Sequence, residues 1–257
     1  MHGAVDDYSV KIFAQFSNTK KNMDKFAERV ISKCDFDDQK VKYIRIDGGG
    51  ENEDIVSLAE SKGEIAIEKT PPFTPQHNGR IERRFPVIMS MAMAIVWAAG
   101  FIKDLEVKLS SLAIETAIFL HDIAPTARSK KSAYELWHGK PPNWKPKALN
   151  FFGRVGIVKT KDRYVKKGEE KGTPMIMVGY VQDAPVGTYR MYNPKTKRVI
   201  STDSVTWTKV IRWQIKGDLK GIFEDSVELA KEPGLSNYDE GGIMLGDSEP
   251  VEKPAIE

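Results

Sequence analysis

Val41-Lys42-Tyr43-Ile44-Arg45-Ile46-Asp47-Gly48-Gly49-Gly50 decides how the chain is read. The β-branched and aromatic residues up to Ile46 spell a strand, and the three glycines stop it. Working downstream, Glu53–Ser61 turns Ile55, Val56, Leu58 and Ala59 inward at helical spacing, and Ile65-Ala66-Ile67 reads as another strand. Strand, helix and strand in succession belong to an α/β fold. Asp47 then stands at the end of a strand, where an open sheet collects functional groups.

The flanks extend the pattern. Upstream, Ala4-Val5 leads into the turn-forming Asp6-Asp7-Tyr8-Ser9, and Val10–Phe16 reads as a half-buried strand. Ser17-Asn18-Thr19 offers N-cap chemistry to a helix bearing Met23, Phe26, Ala27, Val30 and Ile31. Downstream, Pro71-Pro72-Phe73-Thr74-Pro75 is irregular, and long helical patterns cover Asn78–Ala99 and Asp104–Asp122. Beyond Pro141-Pro142 the character changes. Short runs at Gly156–Lys159, Met175–Val181, Tyr189–Tyr192 and Val199–Ser201, divided by turns, predict a small all-β unit beginning near Asn150–Gly153. After about Trp213 the chain is acidic and aperiodic and reads as disordered.

Composition narrows the possibilities. The 257 residues suit one large domain or two smaller ones, and 40% hydrophobic with 29% charged residues fits a globular, soluble protein. No apolar run reaches the roughly 20 residues that span a bilayer. The N-terminus has no basic segment followed by an apolar one, so no secretory signal is expected. Cys34 is the only cysteine, which excludes an internal disulfide and a multi-cysteine zinc site and points to a reducing compartment. His77 and His138 have no second His or Cys at ligand spacing, so zinc is not expected there either. Ten acidic residues stand against Lys231 and Lys253 from Ile222 onward, so the overall charge of +3 hides a much more basic body. Such a body suits a polyanionic partner.

Glu82 falls in the first turns of the Asn78–Ala99 helix, 35 positions after Asp47. A strand end and a helix start can converge at one sheet edge. Paired carboxylates there suit phosphodiester exchange, an in-line displacement for which two divalent ions roughly 3.5–4 Å apart activate the incoming oxygen and stabilise the leaving one. Hard ions such as Mg²⁺ take carboxylate oxygens and keep several waters, so neither Cys nor His is needed.

Longer strings carry a resemblance. Val5-Asp6-Asp7-Tyr8-Ser9, Ile46-Asp47-Gly48-Gly49-Gly50-Glu51, Thr74-Pro75-Gln76-His77-Asn78-Gly79-Arg80-Ile81-Glu82-Arg83 and Ser132-Ala133-Tyr134-Glu135-Leu136-Trp137-His138-Gly139-Lys140-Pro141 resemble the integrase of copia-type LTR retrotransposons. Phe152-Gly153, Val178-Gly179-Tyr180, Tyr189–Pro194 and Val199–Val205 resemble that family's small β-domain. The resemblance implies a ribonuclease-H-like core, a mixed sheet with flanking helices, over residues 1–125. A connecting segment at 126–150, a β-barrel-like module at 151–210 and an acidic linker at 211–257 follow. It also implies a D,D,E carboxylate triad whose second Asp is Asp47 and whose Glu is Glu82, holding Mg²⁺ or Mn²⁺. The first Asp of the family lies on a strand ahead of the Asp-Asp-Tyr-Ser turn, so it is expected to be missing here, with Asp6 and Asp7 as turn residues.

The implied activity is trimming of DNA 3′ ends and their transfer into target DNA, in a homo-oligomer without a membrane partner. The implied location is the nucleus, with a cytoplasmic particle stage. Gln76 and Asn78 would approach the DNA end, while Arg80, Arg83, Arg84, Lys166 and Lys167 would contact phosphates. The surrounding cluster of Lys161, Arg163 and Lys171 is interrupted by Asp162, Glu169 and Glu170. Trp97, Trp137 and Trp144 read as packing residues. Two features depart from the family. Pro86 sits inside the Glu82 helix, where it removes the hydrogen bond to the Glu82 carbonyl and predicts a kink. No polymerase motif follows the acidic tail, which suggests a fragment or decayed copy. A DNA-binding remnant without catalysis, or a structure-selective nuclease on the same fold, are the competing expectations.

Overall fold

The computed structural model describes residues 1–16, 22–46, 53–70, 79–101, 103–125, 129–159 and 172–208. It opens with an antiparallel hairpin of β1 (His2–Val5) and β2 (Ile12–Gln15). Asp6 closes the hairpin turn: its carboxylate accepts the Ser9 N–H at 2.6 Å and the Ser9 hydroxyl at 2.7 Å. This is the side-chain mimicry of a backbone turn that makes Asp common in such loops.

Helix α1 (Met23–Phe36) turns Phe26, Ala27, Ile31 and Cys34 inward. Strand β3 (Tyr43–Ile46), helix α2 (Glu53–Lys62) and β4 (Ala66–Lys69) form the expected strand–helix–strand unit, with the strands parallel from Tyr43↔Ala66 to Ile46↔Lys69. Phe26 stacks on His2 of β1, and Ala27 clusters with Ile46 and Ile55, so α1 touches both strand pairs. The expected single mixed sheet is not formed among the described residues: β1 bonds only β2, and β3 only β4. Each pair is instead held by the helices laid on it.

Helices α3 (Gly79–Ala99) and α4 (Lys103–Ile123) match the two long helical patterns and fold back on each other. Pro86 does not divide α3, which is helical on both sides of it. Burial of Ile88 and Ala92, two and six residues later, offsets the lost hydrogen bond. Helix α5 (Ala133–His138) is bounded by local chemistry. Ser132 Oγ accepts the Glu135 N–H at 3.1 Å at its start, and Gly139 closes it in the left-handed region at φ 70°. Trp137 anchors α5: its Nε1–H donates to Asp37 Oδ2 at 2.9 Å, and its ring meets Phe13 of β2 edge-on.

The second half is a five-stranded antiparallel sheet of β5 (Val155–Lys159), β6 (Gly172–Tyr180), β7 (Tyr189–Asn193), β8 (Arg198–Thr202) and β9 (Val205–Trp207), ordered β8-β7-β6-β5-β9. Only Asp203 and Ser204 separate β8 from β9, yet these lie at opposite edges. A flat sheet of this width would hold its edges about 19 Å apart, while the link reaches roughly 10 Å. The sheet must therefore curl toward closure, in keeping with the expected barrel-like module. Strand β9 lies beyond Val199–Ser201, the last run that the sequence pattern marks.

This curled sheet shares a core with α3 and α4. Ile88, Ala113, Ala117, Val155, Ile176 and Val178 are completely buried in one cluster. Gly153, at φ +90°, lies against the end of α3, where an added Cβ would fall 2.7 Å from that of Ala99. A second cluster joins Phe119 of α4 to Tyr180, Tyr189 and Trp144. The Tyr180 hydroxyl donates to the Asn150 carbonyl at 2.6 Å, and burial pushes its pKa up to about 12.

Two outcomes follow. Ile176→Ala should lower the unfolding free energy by about 2–5 kcal/mol. Helical circular dichroism and β-module fluorescence should then shift along the same urea curve, because one core serves both. Burial first, and the Asp37, Asp6 and Asp35 carboxylates next, push the Cys34 thiol up to about 11 from 9.0. A disulfide reagent at pH 8 should therefore modify native Cys34 roughly 100-fold more slowly than an ordinary thiol, and at the ordinary rate after unfolding.

Candidate active site

Strand β3 delivers the chain to Ile46, whose side chain is buried beneath α1 and α2. Its carbonyl accepts the Thr70 N–H at 2.9 Å, which carries the parallel ladder to the point where Asp47 follows. Asp47 itself lies outside the described residues, as do Gln76, Asn78, Lys166 and Lys167. Glu82, Arg80, Arg83 and Arg84 are described, all near the start of α3.

Glu82 is exposed in the first turn of α3. Around it, the arginines have separate jobs. The Arg80 Nε lies 2.9 Å from Asp7 Oδ1, and a second nitrogen of the same guanidinium donates to the Asp7 carbonyl. Both side chains are exposed, so the charge term alone is worth under about 1 kcal/mol. The added backbone bond fixes where α3 starts relative to the β1–β2 turn. Arg83 folds back along its helix, donating to the Gly79 carbonyl at 2.6 Å, and stays exposed.

Arg84 belongs to a network that the sequence reading did not foresee. Its Nη1 lies 3.3 Å from His121 Nε2, His121 Nδ1 lies 3.5 Å from Asp122 Oδ1, and Asp122 Oδ2 lies 3.4 Å from Lys11 Nζ. Arginine cannot accept, so the first contact assigns His121 the tautomer with its proton on Nδ1, which then donates to Asp122. Asp122 is buried between Lys11, the residue just ahead of β2, and a histidine on its own helix. The signal available in sequence was a Lys and an Asp at otherwise apolar positions, but the partners are 111 residues apart.

Asp6 is occupied as a turn acceptor and Asp7 as the partner of Arg80, in line with the turn reading of both. Among the described residues, no group of three His, Cys, Asp or Glu side chains is close enough to hold a metal ion. Glu82 supplies hard oxygen of the kind Mg²⁺ prefers, and its exposure leaves room for the ion's retained waters. The donor type therefore fits the ion. Trp137 and Trp144 pack as expected, whereas Trp97 is exposed on α3, a correction to its reading as a packing residue. Its neighbours on the buried side, Ala92 and Ala99, take the core position instead.

No family model matches the chain. In sequence it is 28% identical over 210 residues, 79% of its length, to the retrovirus-related Pol polyprotein from transposon TNT 1-94 of Nicotiana tabacum. The chain is thus similar in sequence to a retrotransposon polyprotein. It spans about 15% of the length of that curated relative. Among solved structures, a chain of the simian T-cell lymphotropic virus intasome in complex with the PP2A regulatory subunit B56 gamma aligns with 82% of this chain and 73% of its own. The identity there is 14% and the TM-score 0.43, too low to support any argument about this protein.

The buried pair gives a stability test. Asp122→Ala leaves Lys11 charged and without its carboxylate, and should cost about 3–5 kcal/mol in chemical denaturation. Adding Lys11→Met to Asp122→Leu should recover most of that loss. A double variant no better than Asp122→Ala would show that the ion pair is not what makes the position sensitive.

Proposed function

We propose that this chain acts in a metal-dependent DNA strand transfer, trimming 3′ ends at element termini and joining them to target DNA. The observation that carries the reading is the sequence relationship to a retrotransposon Pol polyprotein across 79% of the chain. The place of Asp47 in the sequence, directly after the last residue of β3, and the exposed first-turn position of Glu82 support it. In this reading Asp47 and Glu82 hold Mg²⁺ or Mn²⁺. The ion's contribution is Lewis-acid activation of the attacking oxygen and charge stabilisation on the leaving one.

The chain's own residues bind and orient. Gln76 and Asn78 approach the DNA end, and Arg80 and Arg83 present exposed guanidinium groups beside Glu82. Arg84, held by His121, sets the pitch of the α3 start more than it meets phosphate. Lys166 and Lys167 add phosphate contacts from the β-module. Water is the nucleophile in trimming and a DNA 3′-hydroxyl in joining. The working form is an oligomer acting in the nucleus after a cytoplasmic particle stage.

The alternative is a DNA-binding remnant that keeps the charge but not the chemistry. Calorimetric titration of the chain with Mn²⁺ distinguishes the two. Saturable binding that disappears in Asp47→Asn and weakens in Glu82→Gln is expected. DNA binding without any Mn²⁺ uptake would favour the remnant. Cleavage of labelled terminal-repeat DNA that survives both substitutions would remove the two carboxylates from the mechanism. Each of Lys166→Ala and Lys167→Ala should reduce the slope of log affinity against log salt by about 1 without changing sequence preference.

A further inference from the structure

His121 stands between two charges that make opposite demands on it. Arg84 Nη1 of α3 lies 3.3 Å from its Nε2, and Asp122 Oδ1, on its own helix, lies 3.5 Å from its Nδ1. The guanidinium has only hydrogens to offer and needs a lone pair on Nε2. The carboxylate has only lone pairs and needs a proton on Nδ1. A neutral ring serves both. An imidazolium serves only Asp122, because a proton on Nε2 faces the hydrogens of Arg84. Two positive charges then meet where the His121 side chain is only 10% exposed. Behind Asp122 stands the ammonium of Lys11, 3.4 Å from Oδ2, with the Phe13 ring of β2 and the Trp137 ring of α5 beside it. His138 of α5 senses the same lysine: burial first and Lys11 next lower its pKa. The two ends of this row are not equally free to respond. Lys11 and Asp122 are buried and hold each other, whereas Arg84 is half-buried, two residues after the exposed Glu82. When the ring is charged, Arg84 is the side chain that gives way.

We propose that His121 gates Arg84 through its own protonation: the neutral ring holds the guanidinium against α4, and the imidazolium releases it to take a phosphate group near Glu82. The phosphodiester ligand rests on the DNA reading above; the switch itself does not. Arg80 is committed to Asp7, and Arg83 reaches back to the Gly79 carbonyl. Arg84 is held by a titratable lone pair, so a proton can undo its engagement. Letting go also leaves no anion unpaired, since its partner is a ring nitrogen and the Asp122 carboxylate keeps both Lys11 and His121. The sign follows from this arrangement. Above the range in which the ring titrates, the start of α3 withholds one guanidinium. Below it, that guanidinium is free to bind phosphate.

NMR of the full chain between about pH 8 and about pH 5.5, either side of the ordinary imidazole value near 6.5, tests the switch. The Arg84 side-chain signal should move along the same curve as the His121 ring. Both signals are assigned through the backbone, so this arm needs no variant. Binding of a labelled DNA duplex at several salt concentrations tests what the switch serves. The slope of log affinity against log salt should steepen by about 1 on going to the lower pH, as for one added phosphate contact. His121→Gln, which keeps a neutral acceptor at both pH values, should remove that increment, and so should Arg84→Gln. An Arg84 signal that ignores the His121 titration would overturn the proposal. So would an increment that survives Arg84→Gln. DNA binding with the same slope at both pH values rejects the gate and leaves the DNA reading standing. No DNA binding at either pH rejects both.

Discussion

Ile88 of α3, Ala113 and Ala117 of α4, and Ile176 and Val178 of β6 meet with no surface left exposed. The rest of the structure is built out from this contact. The two alanines let the sheet press close to α4, and the larger residues of β6 fill the space this leaves. Close packing of that kind tolerates neither a missing methyl nor an added one. It accounts for the need for glycine at 153 beside Ala99 and for the uninterrupted course of α3 past Pro86. It also means that the β-module rests directly on the helix that presents Glu82.

The first half of the molecule is joined to this core by polar and aromatic links. Lys11 reaches Asp122 at the far end of α4, Trp137 reaches Asp37 after α1, and Arg80 holds Asp7. A carboxylate removed from water is costly unless it is paired and hydrogen-bonded, and Asp122 meets that condition through Lys11 and His121. These links set the β1–β2 hairpin against the start of α3. They matter more to the arrangement because the two strand pairs do not bond to each other among the described residues.

The same helix has two chemical characters along its outer side. Its first turns carry Glu82 and three arginines, and from Phe85 to the end of the helix no residue is charged. The proposed reaction belongs to the first part.

Much of this was legible in the residues. Periodicity located α2, α3, α4 and most strands, because side-chain spacing is a local property that burial on one face imposes. Asp-Asp-Tyr-Ser announced its turn, since the Asp6 carboxylate needs only Ser9 to close it. Motif strings singled out Asp47 and Glu82 and pointed toward the similarity to a retrotransposon polyprotein. Tertiary structure alone decided that, among the described residues, the first four strands form two pairs instead of one sheet, that Asp203 and Ser204 force the five-stranded sheet to curl, and that Lys11, His121 and Arg84 converge through Asp122. It alone put Trp97 outside. Sequence spacing fixes which residues share a face of a helix, but which face meets the core depends on partners tens of residues away.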